Sequence, residues 1–442
     1  MTRDRWGNPL SCGQAALPAV EALTLKMLAF QVDPIADADA LIAEHPDCAM
    51  AYAVRAGAIV TALDPAFGPE LERTIAMAEP AMRHANDRER GHLAAAQAWL
   101  EGDLRRATEG WGAVAMANPR DALATQLAQA GDFFLGQSQM LRDRVARVLP
   151  HWTQGVPDRG FVLGMHAFGL EECGNYAAAE AEGREALGLN PQDGWAAHAV
   201  AHVMEMTGRT EEGMAFLRST SGGWSPGSGF AFHNWWHLAL YHLEARDLDG
   251  AIRLYDETVA TSGFEAAVQM VDGSGLLWRL HLLGAELGGR WEALAAHWRT
   301  RIEAPAAFND VHAMMAFVGA GDRDSQATLL ARMDRTARGS DGNAAVTREV
   351  GMPICRGLSA FGRGAFGVAA AEILPVRGIA VRMGGSHAQR DILSWTLVEA
   401  ALCSGDARLA EAMIAERLAA KPDSALNGAW ARQAGMTGQL AA

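Results

Sequence analysis

The amino-acid sequence predicts an all-α chain built of stacked helical hairpins, and three observations carry that prediction. Small residues, a turn residue and a proline recur at fixed offsets along the chain. No stretch alternates strongly enough to predict a sheet. The length, 442 residues, exceeds the roughly 250 to 300 that one hydrophobic core serves, so the chain must divide into domains or grow by repeats. The recurrence decides for repeats.

Taken in order, residues 1–35 read as an N-terminal segment and residues 36–442 as a single continuous helical repeat domain. A less regular hairpin spans Ala36 to Ile59, and Ala62 to Pro69 interrupts the pattern. From Glu89 onward, Ala95 stands seven before Gly102, Ala107 five after it and Pro119 seventeen after it. The same offsets bring Ala167, Ala179 and Pro191 around Gly174, Ala201 and Gly213 around Gly208, Ala239 and Ala251 around Arg246, and Ala410 and Pro422 around Gly405. Gly102 to Gly136 and Gly174 to Gly208 are each 34 residues, the tetratricopeptide period, and two intervening steps stretch to 38. Further hairpins are predicted at Val271 to Arg299, Val311 to Arg335 and Met352 to Leu374.

The physical reading is simple. Small residues let two antiparallel helices approach, the glycine turns the chain, and the proline stops the second helix. A lone hairpin cannot bury its apolar face, so stacking is required, and a right-handed superhelix with a concave groove is the expected result. Ser221 to Gly229, SGGWSPGSG, reads as a loop between hairpins that covers the groove and brings Trp224 near His233.

Composition narrows the function. The net charge of -14 is spread along the chain without a basic block, which argues against a phosphate backbone as partner. No nucleic acid and a small-molecule substrate are therefore expected. No apolar run reaches the ~20 residues of a membrane span, so no membrane partner is expected. The start lacks an apolar signal stretch, and Cys12, Cys48, Cys173, Cys355 and Cys403 form no CxxC pair, which fits a cytoplasmic location. Homo-oligomerisation is left open. No phosphate loop, dinucleotide fingerprint or Ser/His/Asp motif occurs, so no nucleotide cofactor is expected.

One stretch concentrates chemistry. Gly194 to Glu244 holds five histidines, His198, His202, His233, His237 and His242, and four tryptophans. His198, His202 and Glu205 are spaced four and three apart, which stacks them along one helix face. In a hairpin solenoid the residues thirteen, ten, six and three before the turn line the groove. Those are Trp195, His198, His202 and Glu205 before Gly208, and Phe161, Gly164, Phe168 and Glu171 before Gly174. His233 and Trp236 take the two outer offsets before Arg246, with His237 one residue round.

The segments HAVAHVMEMTGRTEEG, FHNWWHLALYHLE, VDGSGLLWRL, FNDVHAMMA and GGSHAQRDI resemble the signature segments of the tetratricopeptide repeat protein 38 family, over about Ala36 to Pro422. The resemblance implies a tetratricopeptide-like solenoid. It picks out His198, His202 and Glu205, then His233, Asn234, Trp236 and His237, then Asp272, Arg279, Asn309, Asp310 and His312, and lastly Gln389, Arg390 and Asp391. His387, ahead of the QRD segment, departs from some members.

Two chemistries fit these residues. His198, His202, Glu205 and His233 could hold a divalent metal such as zinc, since imidazoles and a carboxylate are ligands that ion takes. Without a metal, His198, His202, Glu205, His233 and His237 could supply a catalytic acid and base. Trp195, Asn234, Trp236, Asp272, Arg279, Asn309, Asp310, His312, Arg390 and Asp391 would then bind the substrate. The bland alternatives are structural histidines, core tryptophans, and Asp310 and Asp391 as helix caps. The chemistry favours a small-molecule enzyme performing hydrolysis or elimination. A non-catalytic scaffold holding a peptide or protein partner in the same groove is the alternative.

Overall fold

At the predicted turns the backbone shows one recurring hydrogen-bond signature. In this computed structural model, which describes residues 2–303 and 306–436, Gly102, Gly136, Gly174, Gly208 and Gly405 all have φ between 66° and 81°. Arg246 holds the same left-handed conformation at φ 63°. At Gly208 the turn N–H donates to the Glu205 carbonyl and the next N–H, of Arg209, reaches back to Met204. Asp103 to Ala98, Asn175 to Leu170, Asp247 to His242 and Asp406 to Ala401 repeat that second bond. This pairing satisfies helix-end carbonyls that would otherwise lack donors. The residue after the turn then caps the second helix: Asp103, Asp247 and Asp406 accept from Arg106, Gly250 and Leu409.

The chain is all-α and tetratricopeptide-like. A single two-stranded ribbon, β1 (Thr2–Arg3) with β2 (Pro9–Leu10), is the only sheet among the described residues. Two compact units divide the chain, one of Met1–Val203 with Arg218–Asn234, the other of Met204–Leu217 with Trp235–Ala442. Residues 1–35 are part of the first unit. Of the range 36–442, residues 304–305 and 437–442 lie outside the described residues, as does residue 1.

The first unit runs α1 (Leu17–Leu28), α2 (Pro34–Glu44), α3 (Ala49–Thr61), α4 (Gly68–Ala78), α5 (Asp87–Leu100), α6 (Leu104–Ala117), α7 (Ala122–Phe134), α8 (Ser138–Val148), α9 (Arg159–Glu172) and α10 (Tyr176–Leu189). Then come α11 (Gly194–Met206), α12 (Thr210–Trp224) and α13 (Ala231–Glu244), each of which contributes to both units. The second unit continues with α14 (Leu248–Leu254), α15 (Ala267–Leu282), α16 (Arg290–Arg299), α17 (Ala307–Gly319), α18 (Arg323–Ala337), α19 (Gly342–Val346), α20 (Met352–Gly362), α21 (Phe366–Ile373), α22 (His387–Arg390), α23 (Ile392–Ser404), α24 (Ala407–Ala420) and α25 (Ala425–Gln433). The less regular hairpins appear as α2 with α3, α15 with α16, α17 with α18, and α20 with α21.

The small residues at the shared offsets do what spacing asked of them. Ala95, Ala107, Ala167, Ala179, Ala201, Ala239, Ala251 and Ala410 are all buried. The first unit's core includes Tyr52, Val54, Trp111, Leu123 and Leu127. The second unit's core is organised on Trp278, Trp298, Phe317, Ile354 and Trp395. No helix is long and apolar enough to cross a membrane among the described residues.

One expectation is corrected. Ser221 to Trp224, expected to begin a loop, complete α12 instead. The reason is close approach, since a Cβ on Gly223 would stand 2.3 Å from the Pro191 carbonyl oxygen. Gly223 is a packing glycine and not a chain breaker. The remaining loop is tied to the chain after α1 by Gly229 N to Phe30 O at 2.7 Å and Val32 N to Gly227 O at 3.0 Å.

Candidate functional site

The first constellation grows from the start of α11. Asp193 caps that helix, accepting from the Trp195 and Ala196 amides at 3.0 Å each, and burial lifts its carboxyl to about 7. One turn apart on α11, the His198 and His202 rings lie with centroids 4.4 Å apart at 79°. Asn234, at the start of α13, donates to the Gly194 carbonyl at 3.0 Å. That bond sets the beginning of α13 beside that of α11. His233 consequently meets His198, Nε2 to Nε2, at 3.1 Å.

Aromatic rings surround this group. Phe168, Trp195 and Phe230 lie 5.0, 4.9 and 5.4 Å from the His198 ring, centroid to centroid. Glu171 of α9 places a carboxylate oxygen 3.5 Å from His202 Nδ1. His198, His202 and His233 are 2%, 0% and 7% exposed. Side chains expected on an open groove surface are thus buried. The cause is visible on α9, where every residue from Gly160 to Glu172 is buried, so neighbours cover that helix all round.

The second constellation lies in the second unit. A cavity of about 30 Å3 is lined by Glu205, Tyr241, Arg279, Asp391, Arg417 and Lys421 among others. Asp391 is held bidentately by Arg417, at 2.6 and 3.1 Å, and accepts from Trp395 Nε1 at 2.8 Å. Burial alone would raise the Asp391 carboxyl, but the Arg417 guanidinium outweighs it and holds the group below the ordinary carboxylate range. Arg279 donates to the Gly275 and Ala388 carbonyls at 2.9 and 2.5 Å and sits over the Trp236 and Trp395 rings. Burial lowers its pKa to about 10. Glu205 meets His237 Nδ1 at 3.2 Å and Lys421 Nζ at 3.9 Å.

The remaining predicted residues are placed as follows. Trp236 is a core residue at 1% exposure, while Trp195 is partly buried. Asp272 and Asn309 are buried. Asp310 lies in the first turn of α17 and caps nothing; burial raises its carboxyl well above the ordinary value. His312 bonds the Phe308 carbonyl through Nδ1 at 2.7 Å, and burial lowers it to about 4. Gln389 closes a capping box with Ser386. Arg390 donates to the Gly385 carbonyl and Asp391 accepts from Arg417. Asp391 precedes α23 without capping it.

Glu205, expected as a metal ligand beside the histidines, is engaged by His237 and Lys421. The carboxylate beside His202 is Glu171, three residues before its own turn glycine as Glu205 is before Gly208. Arg417 and Lys421 were not anticipated. Their only signal is a spacing of four at the end of α24.

A third feature is a cavity of about 850 Å3 in the first unit, bordered by α1, α9 and α10. Leu25, Lys26, Arg159, Phe161, Glu185 and Leu189 are among its lining residues.

No family model matches the chain. Among solved structures it is similar to one described as a human IFIT1 dimer with m7Gppp-AAAA, at a TM-score of 0.44 and 13% identity, over 98% of this chain and 97% of that one. That ligand is a nucleic acid. The expectation of a small-molecule substrate and no nucleic acid stands against the ligand described for that structure and is not carried further.

Proposed function

We propose that the chain is a non-catalytic helical-repeat scaffold that holds a segment of a peptide or protein partner, and that it is a member of the tetratricopeptide repeat protein 38 family on the segments quoted above. One observation carries the scaffold reading: the open cavity of about 850 Å3 along α1, α9 and α10. Its size falls in the range of roughly 300 to 1,000 Å3 typical of ligand clefts. Its wall mixes apolar and charged groups, with Leu189 58% exposed and Lys26, Arg159 and Glu185 around it. An extended peptide needs that mixture, apolar anchors for side chains and polar groups for its backbone.

Selection of binding peptides from a displayed random library against the whole protein tests this. Peptides are expected to bind the wild type and to lose about tenfold or more in affinity to Leu189→Asp, about 1.4 kcal/mol. Unchanged affinity in that variant would remove the cavity from the proposal. A second reading, acid-base hydrolysis or elimination, is favoured by the His237 and Glu205 pair at the edge of the charged cavity. Turnover abolished by Glu205→Gln, with peptide binding intact, would replace the scaffold reading with this one.

A further inference from the structure

We infer that His198, His202 and His233 form a binding site for one divalent first-row transition-metal ion of zinc type. Each residue offers a ring nitrogen, and these atoms lie within 4.8 Å of one another. The decisive distance is His198 Nε2 to His233 Nε2, 3.1 Å. Two nitrogens each about 2.0 to 2.1 Å from a tetrahedral zinc stand about 3.3 to 3.4 Å apart. The observed separation therefore needs only a few tenths of an ångström of opening to take the ion, which one side-chain rotation supplies.

The surroundings suit a cation held by neutral ligands. Glu171 Oε2 lies 3.5 Å from His202 Nδ1, so a small closure to hydrogen-bond distance would let the carboxylate orient the ring with Nε2 left for the metal. Glu171 and Glu172, both buried, bring two carboxyl groups next to His202. The Phe168, Trp195 and Phe230 rings shield the site, and in such a setting ion and ligand attract more strongly than in water. Three histidines are a ligand set zinc adopts. The competing account is a hydrogen bond between two imidazoles, one protonated at Nε2 and the other not. That account engages His198 and His233 alone, whereas a metal ion takes all three histidines. The metal site does not depend on the scaffold reading.

The test uses the full chain, dialysed against a chelator and titrated with Co2+. Intense ligand-field bands of tetrahedral cobalt are expected, saturating at about one equivalent and displaced by Zn2+. His198→Ala, His202→Ala and His233→Ala should each weaken binding at least tenfold, whereas His242→Ala, whose ring bonds Asp247, should bind as the wild type does. Absence of tetrahedral bands in the wild type, or binding unchanged in all three variants, overturns the inference. The wild-type titration decides the matter even where a variant fails to fold.

Discussion

His198 and His233 are 35 positions apart in sequence and touch through their Nε2 atoms at 3.1 Å. Neither residue's helix could place the other, and the pair exists because Asn234 ties α13 to the Gly194 carbonyl. If the pair shares a metal ion, stability becomes linked to metal concentration. At a hundredfold excess over the dissociation constant the gain is about 2.7 kcal/mol. Thermal melts in zinc and in chelator should therefore separate, and superimposed melts would contradict a site formed by the folded chain.

Asp310 gives a pH prediction. It is 2% exposed, and its Oδ2 has no hydrogen-bond partner among the described residues. Burial raises its folded pKa well above the ordinary 3.8. The folded state then holds a proton that the unfolded state releases, so stability is lost as pH rises from about 3.8 toward the folded value. Asp310→Asn keeps the shape without the charge. Denaturant midpoints across pH should show the variant more stable at neutral pH, with a flatter profile than the wild type.

His312 titrates with the opposite slope. Burial, aided by the nearby Arg279 charge and opposed by the bond to Phe308, lowers its pKa from 6.5 to about 4. Below 6.5 the unfolded chain binds the proton first, so stability present above 6.5 is lost as pH falls toward 4. The loss is about 3 kcal/mol at 1.36 kcal/mol per pH unit. In His312→Gln, unfolding midpoints measured between those pH values should fall much less steeply.

The turns allow a test of backbone conformation. Gly208 has φ 72° and nothing within 4 Å of where a Cβ would stand, while Arg246 holds φ 63° at the matching turn. The two positions share one backbone conformation and differ in the residue that adopts it. Gly208→Ala should cost about 1 kcal/mol, and Arg246→Gly should gain about 0.5 to 1 kcal/mol. Urea denaturation of the two variants checks both signs, and a destabilised Arg246→Gly would mean that the arginine side chain outweighs its backbone strain.

The hairpins were legible because their signals are local. A turn glycine, alanines at the crossing and a proline after the second helix are requirements that a helix end and a close approach impose within about twenty residues of chain. The stripe of His198 and His202 on α11 was legible for the same reason. Local signals also misled. The glycine pair Gly222 and Gly223 reads as a chain break, yet α12 continues through both because Gly223 abuts Pro191.

What sequence by itself determined here is the all-α hairpin construction, the turn positions and the face of α11 that carries histidine. Tertiary structure alone decided which carboxylate meets which ring: Glu171 for His202, Glu205 for His237, and Arg417 from α24 for Asp391. It also decided that the histidines are buried and not displayed on a groove. Spacing along a helix sets the direction in which a side chain leaves its own axis. Its partner is set by how closely, and at what angle, another helix approaches, and that depends on the volume of every side chain in the layer between them.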